Sequence, residues 1–193
     1  MTESSAWGPG YSQAELDAAQ ERFALRFPPD LVELLREKRL LRGYDWIDDD
    51  DKIRAALAWP LQGFLFDIEH SLLWWPEWGE RPDSLSERAA IIRRVVSEAP
   101  KLIPIFGHRY IPEEPHERGN PVFSVYQADI IHYGSDLASY FSNELSGQYE
   151  LADNIKRIRF WSDAVDRNGD PAYGWSDAPG VGHPFATGGP RSD

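Results

Sequence analysis

The sequence predicts an α+β fold, in which a single domain contains a central mixed or antiparallel sheet flanked by helices and begins with a helical hairpin. Segments with helical spacing and capping residues are interspersed with short strand-like runs that come in pairs, without the regular strand–helix–strand order of a parallel sheet. The 193 residues are 41% hydrophobic. A globule of this size buries about 70% of the surface of its unfolded chain, so one core is enough.

The N-terminal hairpin is predicted from its capping residues. Ser12 and Glu15 form the S-x-x-E pattern of a capping box, and the apolar residues that follow recur at helical spacing up to Phe27. Two prolines end this helix. Asp30 is the expected cap of a second helix over Leu31–Leu41, with Gly43 just beyond its end.

The middle of the chain predicts a turn over 43–52, a short helix over Lys52–Trp59 that ends at Pro60, and a strand over Gly63–His70. In that strand, aromatic or aliphatic residues alternate with their neighbours. A second short strand is expected over Leu72–Trp75. A capping box at Ser84 then opens a helix that runs to about Ala99, with its buried side at Ala90, Ile91, Ile92, Val95 and Val96.

The second half predicts strands over Leu102–Phe106, Val122–Gln127 and Asp129–Tyr133, a loop over Gly107–Pro112, a helix that begins near Ser135, and a last strand over Ile155–Trp161. The strand residues expected in the core are Phe64, Phe66, Ile68, Leu102, Ile105, Phe123, Val125 and Ile131.

Composition sets the limits of the domain. Residues 1–11 are predicted to be a flexible lead, residues 12–162 the folded domain, and residues 163–193 an acidic and then Gly/Pro-rich tail. The tail is expected to contribute little to stability. We expect a monomer or a weak dimer.

The chain carries a formal charge of −12 and lacks the clustered basic residues that nucleic-acid-binding proteins use to contact phosphates. Its charge favours a basic protein partner instead. The chain contains no cysteine, which excludes disulfides and thiolate metal sites, and the histidines lack metal-site spacing. We therefore expect neither a metal nor a cofactor. The first residues lack the charge and apolar run of a signal peptide, and nothing predicts a membrane span, so a cytoplasmic protein is expected.

One segment combines charge with aromatic residues. Four consecutive aspartates exceed what the positive end of a following helix requires, and they stand close to two aromatic residues; a third aromatic residue comes from the tryptophan-rich stretch around Pro76. In the partner-binding hypothesis, the aspartates attract the partner and the aromatic side chains anchor it. The alternatives are a solvated turn for the aspartates and a core position for the tryptophans. The candidate residues are Tyr44, Trp46, Asp48, Asp49, Asp50, Asp51 and Trp78.

An enzymatic alternative uses His108, Asp129 and His132, which flank neighbouring predicted strands. A deep pocket that joins these side chains would favour it. A triad of Ser124 with His132 and Asp129 has weaker support, because no nucleophile-elbow sequence surrounds Ser124.

The order of motifs resembles the SUKH superfamily, the Smi/Knr-type fold named after fungal cell-wall regulators. The matching segments are Glu21–Leu35, with its proline break between two helices, and then Leu102–Phe106, Asn120–Val125, Asp129–Gly134 and Asp136–Phe141. The resemblance covers about residues 12–162. The Glu77–Pro82 insert and the Gly107–Tyr110 loop indicate a divergent subgroup.

The resemblance implies a function without catalysis, and no catalytic residue is carried over. Bacterial members are viewed as immunity proteins of polymorphic toxin systems or as protein-binding modules. We therefore expect a cytoplasmic protein that neutralises a cognate, basic bacterial toxin by occlusion. The alternative is a regulatory or scaffold domain with an endogenous protein partner.

Overall fold

A computed structural model describes residues 6–147 and 149–168 of the chain. It has the predicted α+β architecture. The described elements are β1 (Trp7–Pro9), α1 (Gln13–Phe23), α2 (Pro29–Glu37), β2 (Lys38–Leu40), α3 (Asp50–His70), a 3₁₀ turn (Pro76–Trp78), α4 (Leu85–Glu98), β3 (Leu102–Phe106), β4 (Arg109–Pro112), β5 (Val122–Tyr126), β6 (Asp129–Gly134), α5 (Leu137–Ser146) and α6 (Trp161–Arg167).

The strands form two antiparallel sheets. The central sheet has the order β3-β4-β5-β6, so each strand pairs with its neighbour in the chain, and β1 pairs with β2 in a small sheet beside it. The sequence predicts a mixed or an antiparallel sheet, and within the described residues the pairing is purely antiparallel.

Both faces of the central sheet are covered. Alternate strand residues belong to two separate apolar clusters: Tyr110 and Phe123 pack with residues of α3, α4 and α6, whereas Ile111 and Val122 pack with residues of α1, α2 and α5. This division follows from the alternation of side chains along a strand. As a result, β5 is buried from Val122 to Val125.

The N-terminal hairpin is present, with the predicted capping box of Ser12 and Glu15. The second helix differs from its prediction. It ends at Glu37, because Lys38–Leu40 turn into β2, and its N-cap is Pro28. The Asp30 carboxylate bonds the backbone N–H groups of Leu31 at 3.1 Å and Gly119 at 2.9 Å, so it joins the helix to a distant loop.

The predicted strand over Gly63–His70 is wrong. This segment is the second half of α3, a helix of 21 residues that continues through Pro60. The buried residues of α3 recur every three or four positions, which is the helical period; among them are Ile53, Ala56, Pro60, Phe64 and Ile68. Read alone, the apparent alternation of Phe64, Phe66 and Ile68 concealed that period.

Pro60 has no amide proton, so it leaves the carbonyl of Ala56 without its helical donor. The hydroxyl of Tyr110, from β4, donates a hydrogen bond to that carbonyl at 2.9 Å. Tyr110 is 1% exposed. The sheet therefore supplies the hydrogen bond that the proline removes, and the helix continues past it.

Other predictions need correction. Leu72–Trp75 is not a strand, Gly107–Pro112 contains β4 rather than only a loop, and Ile155–Trp161 is an irregular segment that leads into α6. In α4, Ala90 is exposed because it lies opposite the buried Ile92 side. Of the eight predicted core residues, Phe66 at 47% and Ile131 at 36% exposure lie at the surface and the other six are buried.

Two elements cross the predicted limits of the domain. β1 lies inside the predicted lead, where Trp7 pairs with Leu40 and its ring packs on Phe141 at 5.1 Å. α6 continues past residue 162 to Arg167. The predicted tail beyond residue 168 lies outside the described residues. No helix in the described part of the chain is long and apolar enough to cross a membrane.

Candidate functional site

Two of the predicted anchors lie in the core. Trp46 is 3% exposed and packs edge-on against Phe27 at 4.7 Å between ring centroids. Trp78 is 7% exposed and stacks on Trp75 at 4.5 Å. A buried ring has no free face for a partner, so both tryptophans stabilise the fold.

Tyr44 lies half-buried at the surface and is held in place. Its hydroxyl donates a hydrogen bond to the carbonyl of Gly107 at 2.6 Å, and the Lys52 ammonium lies 5.0 Å from its ring centroid. Burial raises the pKa of the phenol. The ring therefore fastens the loop after β2 to the turn between β3 and β4.

The acidic run is partly compensated by its surroundings. Asp49 accepts hydrogen bonds from the backbone N–H of Asp45 at 3.1 Å and from Lys52 at 3.2 Å, and these two donors hold the pKa of its carboxyl below the usual value. Asp50 pairs with Arg22 at 2.7 Å. Asp48 and Asp51 are exposed. Ion pairs among the described residues therefore hold Asp49 and Asp50 but neither Asp48 nor Asp51.

A polar cleft of about 290 Å³ lies beside this run. Its charged groups bind one another: the guanidinium of Arg39 donates to Asp45 at 2.8 Å, and the hydroxyl of Tyr11 lies 3.4 Å from the same carboxylate. Arg39 also lies over the ring of Tyr11, 5.1 Å from its centroid. This network joins the N-terminal segment to the loop after β2. The residues that line the cleft are Tyr11, Arg39, Leu40, Leu41, Arg42, Gly43, Asp45, Asp49 and Lys52.

Within the described residues, no hydrogen bond joins the members of the enzymatic set. Asp129 begins β6, where its carboxylate accepts a hydrogen bond from the side-chain amide of Asn168 at 2.8 Å. His132 packs on Phe123 at 5.1 Å, and burial lowers the pKa of its imidazole. His108 lies in the turn before β4, and the hydroxyl of Ser124 accepts a hydrogen bond from Arg109 at 2.8 Å. Among the described residues, no group of three His, Asp or Glu side chains could hold a metal ion.

A surface that the sequence interpretation missed lies where α3 meets the hairpin of β5 and β6. Trp59 is 38% exposed, Phe66 is 47% exposed and Tyr126 is 49% exposed. The ring centroids of Trp59 and Tyr126 are 6.0 Å apart, and the ring of His108 lies 6.4 Å from that of Tyr126. We call Trp59, Gln62, Phe66, Tyr126 and His108 the α3–hairpin surface.

Specific contacts hold the exposed rings in position. The indole Nε1–H of Trp59 donates to the carbonyl of Val125 at 3.1 Å, which fixes the ring on the end of β5. Phe66 stacks on His70, with ring centroids 4.1 Å apart and an angle of 18° between the rings. Trp59 and Phe66 therefore each have an intramolecular contact that favours one orientation of the ring before any partner arrives.

The helix and the hairpin are in very close contact beneath this surface. A Cβ atom added to Gly63 would lie 2.6 Å from the Cα of Gln127, so only glycine permits this approach. Next to it, the buried carboxylate of Asp67 accepts a hydrogen bond from the backbone N–H of Ala128 at 2.8 Å. Burial raises the pKa of Asp67 to about 6, against the opposing effect of that hydrogen bond.

Acidic residues border the α3–hairpin surface. The exposed face of α3 begins with Asp51, continues through Trp59 and Phe66 and ends with Glu69. Asp129 pairs with Tyr126 across the hairpin. The ion pairs within the described residues include none of these three carboxylates.

A periodicity signal for this surface exists in the sequence. Once the helix is continued through Pro60, Trp59 and Phe66 stand seven residues apart, which is two helical turns, on a face shared with polar and charged residues.

Comparisons of the chain with models of protein families, with curated proteins and with solved structures found no match.

Proposed function

We propose that this chain is a protein-binding module without catalytic activity, and that the α3–hairpin surface holds its partner. The observation that carries the proposal is the exposed pair of Trp59 and Tyr126, in which a hydrogen bond to Val125 holds the ring of Trp59. Tryptophan and tyrosine are the residues that most often dominate binding energy at protein interfaces. A ring that is already fixed loses little side-chain entropy on binding.

The charge of the surface supports a basic partner. Asp51, Glu69 and Asp129 border the aromatic residues, and no ion pair among the described residues includes them. The whole chain carries a formal charge of −12. Opposite charge accelerates the encounter of two proteins and fixes their orientation, an effect that salt weakens. In this proposal, Asp51 is the member of the acidic run that borders the interface, whereas Asp49 and Asp50 bind within the protein.

A basic bacterial toxin is the partner that the SUKH resemblance implies. The module would neutralise it by occlusion, covering its functional face. Protein interfaces commonly have an apolar centre and a polar border. The exposed aromatic residues at α3 and the hairpin, with Asp51, Glu69 and Asp129 beside them, support this proposal.

The test uses the product of the adjacent gene as the candidate toxin. The two proteins are co-expressed in bacteria and growth is measured; the purified pair is then studied by binding kinetics at two salt concentrations. We expect the wild type to restore growth and Trp59→Ala to raise the dissociation constant about 30-fold, the equivalent of about 2 kcal/mol. Association should slow as salt rises.

Tyr149→Ala is the matched control. Tyr149 is also an exposed aromatic residue, 53% exposed, and its hydroxyl donates to a strand carbonyl, that of His132. It should bind like the wild type. Equal affinity of the Trp59→Ala variant and the wild type would contradict the assigned surface. Binding without restored growth would contradict the immunity role and favour the regulatory alternative.

A further inference from the structure

We propose that Trp59, Tyr126 and Asp129 together form a receptor for one arginine side chain of the partner. This inference rests on the proposed function, because it assigns the chemical group that the α3–hairpin surface recognises. It goes beyond that function in predicting that the site binds an isolated guanidinium group.

The two rings form the aromatic part of the receptor. They are inclined by 58° with centroids 6.0 Å apart, and each leaves more than a third of its residue surface in solvent. A cation within about 6 Å of a ring centroid is attracted by the negative π face, and tryptophan attracts it most strongly. A guanidinium group at this corner can contact both rings.

Asp129 supplies the negative charge. It lies directly opposite Tyr126 in the β5–β6 register, so both side chains are on the same side of the hairpin. Side chains in such a pair have Cβ atoms about 5 Å apart. The Oδ1 atom of Asp129 accepts a hydrogen bond from the side-chain amide of Asn168 at 2.8 Å, which orients the carboxylate. Its other oxygen makes no hydrogen bond to the described residues and can accept one from a ligand.

The neighbouring cationic groups do not fill the receptor. Arg109 is held on the sheet, where its guanidinium lies 3.6 Å from the ring centroid of Tyr133 and donates to Ser124. Burial and the charge of Arg109 lower the pKa of His108, against the opposing effect of Asp129. In the part of the chain that the structure describes, no ion pair holds a cation on the carboxylate of Asp129.

The geometry favours arginine over lysine. A guanidinium group is planar and weakly hydrated, so it can stack on an aromatic ring while its N–H groups bind a carboxylate in the same plane. An ammonium group is a compact, strongly hydrated charge that cannot stack. The combination of an aromatic corner with an adjacent carboxylate matches the first of these.

The probe is a blocked Gly-Arg-Gly peptide, titrated into the full chain and followed through the backbone amide NMR signals of Gln127 and Ala128. The same peptide with citrulline in place of arginine keeps the planar shape of the side chain and removes its charge. The peptide with lysine keeps the charge and removes the planar group. We expect the citrulline peptide to bind at least about tenfold more weakly and the lysine peptide several-fold more weakly than the arginine peptide.

Two variants test the assigned groups. Asp129→Asn keeps an acceptor for Asn168 and removes the charge, so the affinity for the arginine peptide should fall about five- to tenfold. Trp59→Leu keeps an apolar side chain and removes the π face, with a loss of similar size. Tyr149→Ala is the control and should leave the titration unchanged. Thermal melting of each variant shows that it is folded.

The outcomes separate this inference from the proposed function. Equal binding of the arginine and citrulline peptides, or of the wild type and the Asp129→Asn variant, overturns the receptor. Equal binding of the lysine peptide overturns its preference for arginine. If the receptor fails while Trp59→Ala still weakens the protein partner, only this inference is wrong. If the peptide binds as expected and the protein partner is unaffected by Trp59→Ala, the proposed function is wrong.

Discussion

The hydroxyl of Tyr110 donates its hydrogen bond to the carbonyl of Ala56, the group that Pro60 deprives of its helical donor. A strand side chain thus completes the hydrogen bonding of a helix that would otherwise end at its proline. The contact also ties α3 to the central sheet at the centre of the core. Its consequences for stability can be measured.

We expect Tyr110→Phe to lower the free energy of unfolding by about 1–3 kcal/mol, because it leaves a buried carbonyl without a donor. In a Pro60→Ala background, the restored amide of residue 60 can donate to Ala56, so the same substitution should cost less. Urea denaturation of the four proteins gives the coupling between the two positions. Tyr44→Phe, which removes a half-buried hydrogen bond, is the control and should be independent of residue 60. Additive effects at 60 and 110 would show that the hydroxyl does not replace the helical bond.

The raised pKa of Asp67 predicts that the free energy of unfolding falls as the pH rises. Its pKa is raised to about 6 in the folded protein by burial, whereas the pKa of an unfolded aspartate is about 3.9. The stabilising contribution of the protonated form is complete below the lower value and is lost as the pH rises through the higher one. Asp67→Asn should therefore gain stability relative to the wild type between pH 4 and 7, by at most about 3 kcal/mol.

The measurement for Asp67 is the urea midpoint of wild type and variant at intervals across that pH range. Asparagine keeps an oxygen that accepts from Ala128, so the comparison isolates the charge. The difference between the two proteins should grow with pH. A constant difference would mean that the carboxyl titrates normally in the folded state.

Gly63→Ala tests the close approach of α3 and the hairpin. Alanine is the better helix former by about 1 kcal/mol in an exposed position, but the added methyl group would collide with the backbone of Gln127. We expect a net loss of about 1–3 kcal/mol, as for other overpacked cores, measured by thermal denaturation. Gln62→Ala changes the exposed neighbour on the same helix and should stay within about 0.5 kcal/mol of the wild type. A stabilised Gly63→Ala variant would contradict the contact.

Substitution of Trp46 by alanine should mainly lower stability, whereas the same substitution of Trp59 should mainly weaken partner binding. Trp46 fills the core beneath α1, so Trp46→Ala should cost about 3–5 kcal/mol of stability. Trp59→Ala should cost much less stability and act on partner binding. Denaturation and binding assays on both variants check this, and a Trp59→Ala protein as unstable as Trp46→Ala would show that its main role is structural.

The predictability of the fold depended on how local each signal is. The capping box of Ser12 and Glu15 involves only neighbours in the chain, so the local pattern predicts it correctly. Pro60 indicates a helix end in the sequence, because the donor that compensates for it, Tyr110, is fifty residues away. The assignment of Gly63–His70 as a strand followed from that error.

The binding surface was partly predictable. The acidic segment after β2 was found from composition, but composition does not show that Asp50 pairs with Arg22 from another helix. The burial of Trp46 is likewise a product of tertiary packing against Phe23 and Phe27. Trp59 and Tyr126 come together only after the hairpin has docked on α3, so no local pattern could pair them.

The two-sided burial of the sheet has a consequence for the newly made chain. Leu31 and Leu35 of α2 belong to the same apolar cluster as Ile111 and Val122, and Val122 follows Leu35 by about ninety residues. A ribosome adds about 5–20 residues each second, so the apolar side of the N-terminal helices waits roughly 5–20 s for the strands that cover it. We expect chaperones to bind the exposed apolar side during that interval, and slow translation of the segment between α2 and β5 would lengthen its exposure.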